Sequence, residues 1–283
     1  MNKITKIFSV VLSLIMVSSM LVIGVSAASL RKLDLAFVVD TTGSMGSDIY
    51  QVKTDIQAYL DDLDASGMDY RIAIVEYRDF PERTDDYADF AYRVSLDFSD
   101  NYDNISSSIK AIDLGDGGDW EETVLSALID GLDSLSWRSE AGKAAILMGD
   151  APALDPEPIT GYTTEMAINK LVYDDVAYED SRDYSLMSIT SNFASQATAR
   201  SKVTLFTIAT SGNSETIACF DELASGTGGR SFTAGSSEDI TGIITEIIDE
   251  IPEVVEDAET FWDKVLNFLM KIFYFITFQW DKL

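Results

Sequence analysis

Residues Leu33 to Met45 read LDLAFVVDTTGSM, an apolar run that ends on an acid and continues into two hydroxyl residues at alternate positions. Asp40, Thr42 and Ser44 offer one carboxylate and two hydroxyls from a single tight turn at the end of a buried strand. This all-oxygen set suits magnesium, manganese or calcium and not zinc or copper. Helix capping is the competing explanation, because Ser44 or Ser47 could cap a helix over Asp48–Leu63 without any metal. Capping accounts for the hydroxyls but not for an acid at the strand end.

Two further segments offer oxygen ligands. Ala144 to Pro152 reads AAILMGDAP, again an apolar run closing on an acid, Asp150. Gly115 to Thr123 reads GDGGDWEET, a glycine-rich turn entering a helix, with Asp119 and, as a possible ligand or supporting residue, Glu122. Asp150 could instead shape the turn before Ala-Pro. Asp119 could be a helix N-cap with Glu122 at the capping-box position. Other chemistries are closed off. The chain has no histidine and a single cysteine, Cys219, which excludes a Ser-His-Asp triad, a Cys-His pair, a His-containing zinc site and an internal disulfide.

Positioning those loops requires a sheet. Strand-like runs at Leu33–Asp40, Tyr70–Tyr77, Ala91–Phe98, Ala144–Gly149, Val203–Thr210 and Arg230–Thr233 alternate with amphipathic segments at Asp48–Leu63, Tyr102–Ile112, Glu121–Leu135, Thr190–Ala199, Glu215–Ala224 and Glu238–Ile251. That alternation predicts an α/β fold, a doubly wound, mainly parallel central sheet flanked by helices. In the first helix Ile49, Val52, Ile56, Tyr59, Leu60 and Leu63 recur at three- and four-residue steps as one core-facing stripe.

The chain has 283 residues, 46% of them hydrophobic, and a formal net charge of -28, which repels nucleic acid and favours cations or basic partners. Lys3 and Lys6, an apolar stretch from Ile7 to Val25 and small residues near Ala27 and Ala28 predict a signal peptide over 1–28, or an uncleaved anchor. The folded part is then exported, either secreted or held at the cell surface. The globular domain is expected over 30–251, with an inserted segment at 151–187 in which Thr163–Tyr173 is helical. Residues 252–260 form an acidic linker. In 261–280 a narrow polar stripe of Lys264, Asn267, Lys271 and Tyr274 predicts an amphipathic helix at a membrane surface, docked on protein, or spanning.

The three loops, in this order and each after its expected element, resemble the metal-ion-dependent adhesion site of von Willebrand factor type A domains. Arg71–Asp79 and Leu223–Phe232 extend the resemblance, which covers roughly residues 33–250. It implies a non-enzymatic, divalent-cation-dependent protein-binding module whose ion is held by Asp40, Thr42, Ser44, Asp119 and Asp150. Asp119 departs from the threonine common in this family, and the added negative charge implies tighter ion binding and poorer capture of an acidic partner group. Partner capture would also use Ala151–Met187 and Tyr77–Asp89, with Arg78 and Asp79 on the rim, where a structural loop ion pair is the competing explanation for them. Two alternatives remain. One is a magnesium-dependent phosphotransferase or phosphatase with an aspartate nucleophile, against which stand Thr42 in place of a second aspartate and the lack of a phosphate-holding lysine or loop. The other is a membrane-associated assembly factor acting through 261–280.

Overall fold

The central strand β1, Lys32–Asp40, is buried from Leu33 to its end, as a strand sandwiched between two helical layers must be. The structure is a computed structural model and describes residues 32–65, 67–118, 120–173 and 203–254. The expected signal segment, the Thr190–Ala199 helix, the linker beyond 254, the 261–280 helix and Asp119 itself lie outside the described residues.

After β1 a short 3-10 turn, Gly43–Met45, feeds α1, Gly46–Ala65. Then come β2 (Asp69–Tyr77), a single helical turn α2 (Pro81–Thr84), β3 (Tyr92–Ser99) and α3 (Tyr102–Lys110). A short α4, Val124–Ser126, runs into a π-helical turn at Ala127–Gly131. The remainder is β4 (Gly142–Gly149), α5 (Thr164–Tyr173), β5 (Val203–Ala209), α6 (Ser214–Thr227), β6 (Ser231–Thr233) and α7 (Asp239–Val254). The sheet order is β3-β2-β1-β4-β5-β6, parallel except at β3, which returns antiparallel from β2. The expected doubly wound, mainly parallel sheet is therefore what the chain forms.

The alternation of side chains along β1 divides the core. Leu33, Leu35, Phe37 and Val39 face a layer built with α1, α3 and α7. Ala36 and Val38 face the π-helical turn, α5 and α6. The six stripe residues of α1 are all buried, each worth roughly 1.5–3 kcal/mol relative to exposure. Alpha1 also carries a polar seam against α7. Ser237 donates to Asp48 at 2.5 Å, Thr241 to Asp55, and Thr245 to Asp62 at 2.8 Å.

One expected helix is shorter than its sequence suggests. Glu121–Leu135 begins its helix only at Val124, because the main chain of Glu122 is committed elsewhere: its N–H donates to the Pro152 carbonyl at 3.0 Å and its carbonyl accepts from Leu154 at 2.9 Å. Thr123 is the N-cap residue, and its hydroxyl donates to the carbonyls of Arg78 and Ala91. A capping box over Asp119 and Glu122 is thus ruled out, since Glu122 precedes the helix. Of the 151–187 segment, residues 151–163 form a loop bound to the domain and Thr164–Tyr173 is helical, as expected. Glu157 anchors the loop by accepting from the Ser126 N–H at 2.7 Å and from the hydroxyls of Ser126 and Thr160.

Candidate metal centre

Strands β1 and β4 are neighbours from which the chain winds in opposite directions, β2 and β3 to one side and β5 and β6 to the other. An open α/β sheet has its natural crevice outside the carboxyl ends of such a pair. Val39 pairs with Met148, so Asp40 and the Gly149–Asp150 turn end side by side. The sheet brings together two acids that stand more than a hundred residues apart in the chain.

Asp40 is fully buried. Its Oδ1 accepts from the Thr42 N–H at 2.8 Å and the Thr42 hydroxyl at 2.7 Å, and that hydroxyl lies 3.2 Å from the Ser44 hydroxyl. The Asp-x-Thr-x-Ser spacing therefore builds one chain of oxygen atoms from a buried floor at Asp40 to an exposed edge at Ser44. Asp40 Oδ2 and Asp150 Oδ1 are buried and have no hydrogen-bond partner. An ionised carboxylate oxygen left in this state costs several kcal/mol unless a cation or a proton meets it. The 3-10 turn that Thr42 caps has no side-chain capping bond. The hydroxyl is spent on Asp40 instead.

Neighbouring groups shape this floor. Burial pushes the Asp40 carboxyl up to about 7, helped by the charge of Asp150 and opposed by the bonds from Thr42 and from the Asp150 N–H. Glu122, also buried, is pushed up to about 10, first by burial and then by Asp40, Asp79, Asp150 and Asp89. A Cβ on Gly149 would stand 2.3 Å from the Tyr77 hydroxyl oxygen and 3.3 Å from Asp40, so only glycine fits between the two strands here. The glycine-rich loop meets the first loop through a Thr42–Gly115 bridge, with the Gly115 N–H donating to the Thr41 carbonyl at 2.9 Å. Gly117 has φ +65°, and a Cβ there would approach the Thr42 methyl group at 3.0 Å.

Asp40, Thr42, Ser44 and Asp150 thus meet at one end of the sheet, with Glu122 in the same electrostatic field. Asp119 is outside the described residues. Among the described residues no group of three Asp, Glu or Cys side chains is disposed to hold a metal by itself. The described residues offer an ion in this crevice two carboxylates together with hydroxyls. The donor set fits a hard cation: every atom is oxygen, and two of the carboxylate oxygens lack a donor.

The sequence misjudged Arg78 and Asp79. Both were expected on the rim, but they are 5% and 1% exposed. Arg78 ties the loops together from below, donating to the Thr41 hydroxyl at 3.1 Å and to the carbonyls of Asp113 at 2.7 Å and Ala88 at 3.4 Å. Asp89, at the end of the Tyr77–Asp89 segment expected beside the site, is also buried, and its loop position gave no sign of that. Cys219 is half-buried, and burial pushes its thiol up, which keeps it protonated and unreactive.

Comparison with known proteins follows the same line. A family model described as von Willebrand factor type A domain matches residues 34–246. "Alpha-protein kinase vwkA" of Dictyostelium discoideum is 32% identical over 122 residues, covering 42% of this chain and 18% of that protein. The chain thus spans less than a fifth of that relative's length. Among solved structures, proximal thread matrix protein 1 from the mussel byssus is similar with a TM-score of 0.48 and 15% identity, over 77% of this chain and 46% of that one. An aerotolerance-related membrane protein from Bacteroides fragilis is similar with a TM-score of 0.46 and 10% identity, over 77% of this chain and 99% of that one.

Proposed function

The chain belongs to the von Willebrand factor type A domain family, and from that premise we propose that it acts as an exported, divalent-cation-dependent protein-binding module. Domains of this family serve generally in protein interaction and adhesion and are generally not enzymes. The observation that carries the finer reading is the pair of buried, unpartnered oxygens, Asp40 Oδ2 and Asp150 Oδ1, beside the Thr42 and Ser44 hydroxyls.

The ligands we assign are Asp40, Thr42, Ser44 and Asp150, with Asp119 as the acid of the glycine-rich loop. A bound magnesium, manganese or calcium ion would supply a positive centre to which a partner's oxygen atom could add. The chain's own residues do the rest. Asp40 fixes the first loop by holding Thr42. Arg78 and the Gly115 bridge hold the second loop against it, and the hydroxyls of Ser211 and Thr216 hold the third by donating to the Asp150 carbonyl at 2.6 and 3.0 Å. Among the first-loop ligands Ser44 is the exposed one, so a partner approaches from that side. With Asp119 present, the anionic ligand set favours a tightly held ion and disfavours an acidic partner group. Residues 261–280 would hold the exported domain at a membrane surface.

Capture of a protein from the native surface with and without chelator tests this reading. The expected result is a partner retained with magnesium, manganese or calcium and lost with chelator or in Asp40→Asn. Binding indifferent to chelator would refute it. Retention that instead depends on residues beyond Glu259 would favour the assembly-factor reading. Turnover of p-nitrophenyl phosphate abolished by Asp40→Asn would favour the phosphatase reading.

A further inference from the structure

A second set of carboxylates lies beside the first and is not used by it. Asp79 follows β2, Asp89 closes the loop before β3, and Glu122 stands ahead of α4. They are 1%, 4% and 3% exposed. Four of their oxygens, Asp79 Oδ2, both of Asp89 and Glu122 Oε2, are buried with no hydrogen-bond donor.

The neighbouring guanidiniums do not meet this need. Arg78 Nη1 stands 3.9 Å from Asp89 Oδ1 and Arg83 Nε 3.8 Å from Asp79 Oδ2, both beyond hydrogen-bond length. Arg78 directs its donors to Thr41, Ala88 and Asp113. Asp79 Oδ1 accepts one bond, from the Phe80 N–H at 2.7 Å. Taken with Asp40 and Asp150, five acidic side chains stand against these two guanidiniums.

The carboxylates border the same bare backbone. A Cβ on Gly118 would lie 3.2 Å from Asp79 Oδ2, and one on Gly117 would lie 3.4 Å from Glu122 Oε1. Two successive glycines let this backbone approach the carboxylates closely, with Thr84 and Thr42 packed where side chains would otherwise stand. We propose that Asp79, Asp89 and Glu122 form a second hard-cation site, adjacent to the one on Asp40, and that its ion is calcium. Calcium accepts six to eight oxygens in irregular geometry, whereas magnesium demands a near-ideal octahedron. All three ligands sit on loops rather than on strands. No three of these side chains already close on one point, so loading draws the 78–91 loop toward the 115–122 loop. Its consequence is a rim fixed by the ion.

Terbium luminescence and calcium titration of the purified full chain test the site. Wild type is expected to bind a second calcium ion that survives Asp40→Asn and is lost in the Asp79→Asn/Asp89→Asn pair, with magnesium competing poorly for it. A wild-type chain that binds one ion, unchanged by the Asp79/Asp89 pair, overturns the proposal. A wild-type chain whose only ion is lost in the Asp79/Asp89 pair and unchanged by Asp40→Asn overturns the adhesion-type reading and leaves this one standing. A terbium-soaked crystal of the wild type guards against a misfolded variant. A peak within about 2.3–2.6 Å of oxygens from Asp79, Asp89 and Glu122 supports the site, and a peak at Asp40 alone refutes it.

Discussion

Replacing Asp40 with asparagine should stabilise the metal-free domain at alkaline pH while abolishing its response to magnesium. In the folded chain the Asp40 carboxyl is raised from 3.8 to about 7, chiefly by burial. Between those values the native state holds a proton that the unfolded state has released, so stability falls as pH rises through that window. About three pH units at ~1.4 kcal/mol each gives roughly 4 kcal/mol as a ceiling on this loss by pH 8. Asparagine keeps an oxygen to accept from the Thr42 N–H and hydroxyl, and it removes the charge beside Asp150. In chelator at pH 8 the variant should therefore melt higher than wild type, by up to roughly 8–16 °C at ~2–4 °C per kcal/mol. Near pH 4 the two should coincide. Saturating magnesium narrows the gap at pH 8, since an ion at 100 times its Kd adds ~2.7 kcal/mol to wild type and nothing to the variant. The difference between the two proteins isolates Asp40 from the acid-induced behaviour of the remaining carboxylates. Calorimetric melts of both, with chelator and with magnesium from pH 4 to 8, are the assay. A variant that melts at or below wild type in chelator at pH 8 would show that the Asp40 carboxylate is not an uncompensated buried charge.

Further outcomes follow from the same geometry. Arg78→Met strips Asp89 of its guanidinium neighbour and leaves the Asp113 carbonyl without its donor; urea unfolding in chelator should lose about 3–5 kcal/mol. Gly149→Ala forces a methyl group to within 2.3 Å of the Tyr77 hydroxyl and 3.3 Å of Asp40. It should cost ~1–3 kcal/mol by overpacking and weaken metal affinity in titration, whereas Gly67→Ala, where nothing lies within 4 Å, should leave affinity unchanged. Thr241→Val removes the hydroxyl donated to Asp55 across the α1–α7 seam, for a loss of about 1–2 kcal/mol in urea unfolding.

Much of this protein was legible in its sequence, because local chemistry dictates local structure. Unbroken apolar runs marked the strands, and the three- and four-residue steps of Ile49 to Leu63 marked the buried face of α1. Asp40, Thr42 and Ser44 lie within five residues, so their hydrogen bonds are a property of one turn. Tertiary structure decided what depends on distant partners. Glu122 reads as a helix-capping acid, yet its backbone pairs with Pro152 and Leu154, some thirty residues further on, and the helix starts later. Arg78, Asp79 and Asp89 read as solvated loop charges, and only the folding of the 78–91 and 113–123 loops over one another removes them from water. A charge pattern along a chain carries no record of which loop will cover it. Burial, which sets both the electrostatics and the demand for a cation, belongs to the assembled fold.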